Sequence, residues 1–375
     1  MKPTVDGTPP FRAEVIGSML RSEELKQARE HNAAGKVSDE ELREIEDDEI
    51  RAAVALQEKA GLEVVTDGEL RRRVYFGDFY VRGLGGISID LTGEHAWDYV
   101  DVNGHHLGAP LPRVYARPLW REPILVREFD FLSSITDRTP KITIPSPVIL
   151  HFFGGRANIS RDVYPNLDLF WSDIVDGFHK ELAALGTAGC NYVQIDETSL
   201  AGLSDPSIRA HLKERGDDWQ DLAKLYPEVI NAVIDGRPSG MHVGLHVCRG
   251  NNQGHWQAEG GYETIADALF NKIKADFYFL EYDTPRAGSF EPLAMVPAGK
   301  KVVLGLVSTK TPETEPKAKI VERIGEAEKF IKLDQLGISP QCGFASDFRG
   351  NPITVDDQAA KLALVVEVAR EVWGS

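Results

Sequence analysis

The chain has 375 residues, 42% of them hydrophobic, with 42 basic against 58 acidic side chains and a formal net charge of -16. That surplus of negative charge repels phosphate backbones and anionic lipid, which argues against nucleic-acid and membrane partners. No apolar leader follows Met1-Lys2-Pro3, no run approaches the length that crosses a bilayer, and 3 cysteines cannot build a disulfide framework; the expectation is a protein of a reducing compartment, most simply the cytoplasm.

Taken in order, short strand-like runs at 13–18, 62–69, 141–147, 192–197, 242–248, 277–283, 301–308 and 336–342 each close on polar or small residues. Helical patterns lie between them. The first opens on the capping box Ser38-Asp39-Glu40-Glu41, carries Leu42, Ile45, Ile50, Ala53 and Leu56 on one face and stops at Gly61. Others are expected over 168–185, 262–273, 316–330 and 356–373. Strands alternating with helices imply a parallel sheet, and eight such runs imply a closed (β/α)8 TIM barrel occupying the whole chain as a single domain. The competing doubly wound sheet would carry a Gly-rich phosphate turn after its first strand, and Ile16-Gly17-Ser18-Met19-Leu20 is not one.

Between the second and third runs the spacing is too long for one connecting helix. The stretch from about 70 to 140 holds Tyr75, Phe76, Phe79, Tyr80, Trp97, Tyr99, Tyr115 and Trp120 together with Gly83-Leu84-Gly85-Gly86. It reads either as a hairpin-like insertion near the barrel mouth or as extra packing beneath a helix.

A barrel carries its chemistry at the carboxyl ends of its strands, and here those ends are unusually polar. In an extended strand residues two apart share a face, so the imidazole of His246 and the sulfur of Cys248 project side by side. Glu281 and Cys342 end later strands, which completes a His/Cys/Glu/Cys set that suits tetrahedral Zn²⁺. Cys190, ahead of a strand, reads as core. Two thiolates and a carboxylate quench the Lewis acidity that would make hydroxide, yet such a zinc still binds a thiol and holds it as a nucleophilic thiolate. The reaction class is therefore alkyl transfer to sulfur. Glu69, Asp196 and Glu197 offer negative charge to an ammonium, and the backbone around Ile16-Gly17-Ser18 offers donors to a carboxylate, the pattern for an amino-acid thiol. Arg71, Arg72, Arg73 and Arg249 keep a sulfonate or phosphate substrate open.

Six motifs in one order, Ile16-Gly17-Ser18, Asp67-Gly68-Glu69, Val193-Gln194-Ile195-Asp196-Glu197, His246-x-Cys248, Glu281 and Pro340-Gln341-Cys342-Gly343, resemble the catalytic domain of cobalamin-independent methionine synthase in a short, single-barrel form. The resemblance covers nearly the whole chain. It implies zinc held by His246, Cys248, Glu281 and Cys342, homocysteine held by Ile16, Ser18, Glu69 and Asp196, and a methyl donor, folate or methylcobalamin, that is not fixed because nothing corresponds to the extra N-terminal barrel of the long enzymes. Where those enzymes have a histidine as proton donor this chain has Lys310, which with the strand-end Asp283 makes up the candidate catalytic pair. The same resemblance includes epoxyalkane:coenzyme M transferase as an alternative activity. A non-zinc barrel of the uroporphyrinogen decarboxylase kind, a silent binding barrel and an oligomeric state all stay open.

Overall fold

The computed structural model describes residues 8–90 and 97–374; Met1-Lys2-Pro3 and residues 91–96 of the expected insertion lie outside them. Among the described residues the twelve strands, numbered in chain order, are Val64–Val65 (β1), Ile87–Asp90 (β2), Asp98–Val100 (β3), His106–Gly108 (β4), Leu111–Val114 (β5), Thr139–Pro140 (β6), Ile142–Pro145 (β7), Tyr192–Glu197 (β8), His242–Val247 (β9), Phe277–Glu281 (β10), Lys301–Val307 (β11) and Leu336–Pro340 (β12). The last six form one parallel sheet in the order β7-β8-β9-β10-β11-β12. These strands are buried at every residue but the first of β9 and of β11, as a parallel sheet covered by helices requires, although β8 carries Gln194, Asp196 and Glu197.

The six later strand expectations hold to within a few residues, whereas the first two shrink. Residues 13–18 contribute a single parallel bridge from Ala13 to Ile338, and 62–69 only Val64–Val65, which pairs with β6. The reason is that side chains take over bonds a sheet ladder would make. Thr66 N–H donates to Gln57 Oε1, Gly68 N–H to Thr66 Oγ1 and Glu69 N–H to Asp67 Oδ1, while Thr66 Oγ1 donates to Gly17 O. Gly68 and Glu69 also turn to positive φ, 68° and 55°. Main-chain bonds still link these segments to their neighbours: Glu14 N–H to Ile338 O at 2.9 Å, Met19 N–H to Gly68 O at 2.9 Å and Lys141 N–H to Val65 O at 2.9 Å. The molecule is thus an α/β fold built on a six-stranded parallel sheet, and strand pairing by itself does not close it into eight strands.

The helix Asp39–Ala60 begins on the Ser38 capping box and ends at Gly61 in the left-handed region, φ 98°, as its sequence dictates. Helices Leu167–Thr187, Lys317–Ala327 and Val355–Trp373 match their periodic patterns. The stretch expected over 262–273 keeps only a short, wide-turned helix at Asp267–Lys272. Helices Glu23–Ala33, Val126–Ser134, Ile149–Gly154, Pro206–Glu214 and Trp219–Asp235 were not singled out by pattern. The 70–140 stretch contains two small antiparallel pairs, β2 with β5 and β3 with β4. Phe79 and Tyr80 pack on Phe178, and Trp97 on Phe152 and Phe153, so this stretch is also packed into the main hydrophobic core. Among the described residues no helix is long and apolar enough to cross a membrane.

Candidate metal centre

The period of two along β8 and β9 sets the site. Gln194 and Asp196 share one face of β8, Gly244 and His246 one face of β9, and register puts Asp196 beside His246. A Cβ on Gly244 would lie 2.4 Å from the Phe277 ring and 2.8 Å from that of Phe279, so the glycine makes room for both. Past the end of β9, Cys248 meets Cys342, which follows β12: their sulfurs are 3.9 Å apart. The ligand atoms of His246, Cys248 and Cys342 all lie within 4.8 Å of one another, and all three residues are buried.

Neither ring nitrogen of His246 has a hydrogen-bond partner, although the residue is only 2% exposed. An imidazole held dry and unpaired is costly unless something takes its lone pair, and a metal does so. The sulfurs agree. The neighbouring Cys248 sulfur, with His246, holds the Cys342 thiol well below its usual range despite burial, and Cys248 is correspondingly pushed up as the proton-bearing partner. One imidazole and two thiols in this arrangement fit a borderline-soft divalent ion.

Glu281, expected as a fourth ligand, is not brought into this group. Its Oε2 accepts the Arg249 N–H at 2.6 Å, its Oε1 is paired with the Arg286 guanidinium, and Lys310 Nζ stands 3.9 Å away. Burial alone would raise this carboxyl, but Lys310, Arg286 and Arg249 outweigh it and hold it at about 2.

The four expected substrate residues do converge. Ile16, Ser18, Glu69 and Asp196 line the same cavity as His246, Cys248 and Cys342. Glu69 accepts from Thr143 Oγ1 at 2.8 Å and lies 3.8 Å from Arg72; Asp196 accepts from Gln194 Nε2 at 2.7 Å. Burial, with Glu69 beside it, pushes Asp196 up to about 7, and burial raises Glu69 too, because Arg72 and Thr143 offset it only in part. Ser18 approaches Cys342 through Gly343, where a Cβ would fall 2.0 Å from Ser18 Oγ. Asp283 and Lys310 line a neighbouring cavity with Trp256 and Arg286. Asp283 accepts from Ser308 Oγ at 2.9 Å, and Lys310 Nζ has no hydrogen-bond partner.

The sequence matches a known domain over most of its length. The cobalamin-independent synthase catalytic domain matches residues 11–371. This chain belongs to that family. It is 41% identical over 368 residues to the uncharacterized Bacillus subtilis protein YxjG, covering 97% of this chain and 95% of the relative. It is 25% identical over 339 residues to a Pyrococcus abyssi methionine synthase, covering 89% and 86%. A solved Listeria monocytogenes structure, provisionally assigned as a vitamin-B12-independent methionine synthase, superposes with a TM-score of 0.74 at 31% identity over 98% of this chain and 99% of that one.

Residues not assigned to the site from the sequence also line this cavity. Tyr75 and Tyr99 come from the 70–140 stretch, and Thr198, Asn251 and Ser346 from loops after strands. Tyr75 Oη, Thr198 Oγ1 and Asn251 Oδ1 are buried without a hydrogen-bond partner. A concentration of aromatics in the insertion was the one signal available for the tyrosines; the others sit in loops whose course depends on the assembled sheet.

Proposed function

We propose that this chain is a zinc-dependent methyltransferase that methylates the thiol of homocysteine to give methionine. The observation that carries the reading is an unpartnered, buried His246 between two thiols, with the carboxylates Glu69 and Asp196 in the same cavity. His246, Cys248 and Cys342 would hold the zinc, which when bound keeps the substrate sulfur as a thiolate at neutral pH. The chain's own residues do the rest. Glu69 and Asp196 receive the ammonium, and the polar backbone at Ile16-Gly17-Ser18 receives the carboxylate, which aims the sulfur into the cavity. Sulfur bonds to the methyl carbon as the carbon's bond to the donor breaks, the thiol proton having left on binding. Where the donor is a folate, its departing amine takes a proton from Lys310 or Asp283. The donor is of the folate or methylcobalamin class. The reading carries with it a single catalytic unit over 1–375 closed as an eight-stranded barrel, which the main-chain bonds at Ile338, Gly68 and Val65 support.

A sulfonate-bearing thiol is disfavoured by where the arginines are spent. Arg71 pairs with Asp47, Arg72 donates to Thr143 O at 2.7 Å, and Arg249 is bound to Gly260, Glu281 and Ala287 carbonyls.

The test is metal analysis with thiol binding. Full-length protein should hold one zinc, and Cys342→Ser should lose it while keeping its circular dichroism spectrum, since strand-end ligands contribute little to the core. Mixing zinc-loaded protein with homocysteine in weak buffer near pH 7 should release about one proton per site, because free thiols are mostly protonated there. Zinc content unchanged in Cys342→Ser, or thiol binding without proton release, refutes the reading.

A further inference from the structure

Resting on the homocysteine reading above, we infer that Lys141 and Gln194 are positioning residues for the ammonium of the substrate. Lys141, shut inside the fold, fixes the Gln194 amide so that its N–H group faces Asp196, and that carboxylate is thereby held as an acceptor on the cavity wall.

The period of two along β8 draws the line that connects them. Tyr192, Gln194 and Asp196 share one face of the strand, and all three are buried. Tyr192 Oη donates to Glu14 Oε1 at 2.7 Å, Gln194 Oε1 accepts from Lys141 Nζ at 2.9 Å, and Gln194 Nε2 donates to Asp196 Oδ1 at 2.7 Å. An ammonium has three protons to give and accepts nothing. Lys141, itself fully buried, gives one to Gln194, one to Glu14 Oε2 at 3.2 Å and one to Val15 O, with its head 4.6 Å from the centre of the Phe279 ring.

The Gln194 amide therefore has one admissible orientation. Turned over, it would set Nε2 against the ammonium and Oε1 against a carboxylate, donor facing donor and acceptor facing acceptor in a buried place. Among the described residues the bond from Gln194 is the one hydrogen bond that the Asp196 carboxyl receives, so the direction in which this carboxylate is turned depends on it. Glu69, the other carboxylate of the cavity, has Thr143 and Arg72 instead. Asp196 lines the cavity while Lys141 and Gln194 do not, so the two act on the substrate only through Asp196.

Full-length, zinc-loaded protein is titrated calorimetrically with homocysteine and with 4-mercaptobutyrate, which lacks only the amine, so that the ratio of the two affinities reports the ammonium site. Gln194→Met, of similar length and without a donor, should shrink that ratio about tenfold or more, the range for losing a hydrogen bond to a charged group, with 4-mercaptobutyrate affinity within about threefold of wild type and zinc content unchanged. Lys141→Met/Glu14→Gln removes the buried pair together and lets the amide turn over; it should shrink the ratio about threefold or more. Adding Gln194→Met to that pair should take the ratio no lower than Gln194→Met alone, because groups that act in series are not additive. A merely structural role weakens both thiols alike and leaves the ratio unmoved. With the wild-type preference for homocysteine present, an unmoved ratio in folded Gln194→Met overturns this inference alone, as do losses that add in the combined variant. If the Lys141 variant does not fold, Gln194→Met decides. A wild-type chain that binds neither thiol, or both equally, refutes the homocysteine reading and this inference together.

Discussion

Asp196 sits where two demands conflict, since a buried carboxylate beside Glu69 wants a proton and an ammonium ligand wants it charged. On the proposed function, an amine arriving between Asp196, pushed up to about 7, and Glu69 adds positive charge where Arg72, 3.8 Å from Glu69, compensates only in part. Selectivity should therefore rest on the amine. Homocysteine is expected to bind at least about a hundredfold more tightly than 4-mercaptobutyrate, which has the same thiol and carboxylate, because a site built around a polar group rejects the analogue that leaves it unpaired. Asp196→Asn should shrink that ratio to within about tenfold without changing zinc content. Titration calorimetry measures both ratios; an unchanged ratio in the variant removes Asp196 from the ammonium site.

The short helix Ile149–Gly154 is buried end to end, and it carries a histidine with no part in the metal site. His151 Nδ1 lies 3.0 Å from Tyr226 Oη, and the ring packs on Trp171. Burial pulls its pKa down to about 4; Asp217 opposes this, while Arg215 and Arg156 reinforce it. The sign of the consequence follows from linkage. In the unfolded chain this ring protonates near 6.5, in the folded chain only near 4, so between those values the unfolded state binds more protons and stability falls as pH falls. The contribution is fully present above about 6.5 and amounts to about 2–3 kcal/mol lost by pH 4. Urea unfolding at pH 7 and pH 4.5 should show His151→Gln losing less stability on acidification than wild type by roughly that amount. Equal losses would place the acid sensitivity elsewhere.

Across the whole molecule, the segments at the two margins of the six-stranded sheet are joined through an interior ion pair rather than through a complete strand ladder. Lys141 Nζ lies 3.2 Å from Glu14 Oε2 and 2.9 Å from Gln194 Oε1, and also reaches Val15 O; Glu14 Oε1 accepts from Tyr192 Oη at 2.7 Å, with both charged side chains fully buried. Removing one partner strands the other, so Lys141→Met should cost about 3–5 kcal/mol, and adding Glu14→Gln should recover part of it. Denaturant midpoints test this; a loss under about 1 kcal/mol would mean that Glu14 simply takes up a proton. How much of the molecule was legible beforehand follows from the same contrast. Local periodicity determined the elements whose bonds are local or ladder-like: the Ser38–Gly61 helix, the six later strands, and the side-by-side projection of His246 and Cys248. Strand-end logic, with the motif order, brought Cys342, Glu69, Asp196, Ile16 and Ser18 to one cavity. Only the tertiary structure decided that the first two runs exchange ladder bonds for side-chain bonds, that Tyr75 and Tyr99 reach the cavity from the insertion, and that Glu281 is paired with Arg286 and the Arg249 N–H. Backbone periods fix which face a residue points to. Which charge a buried carboxylate meets there depends on partners from other strand ends, Arg249 and Lys310, and on the turn that brings Arg286, five residues on, back to Glu281.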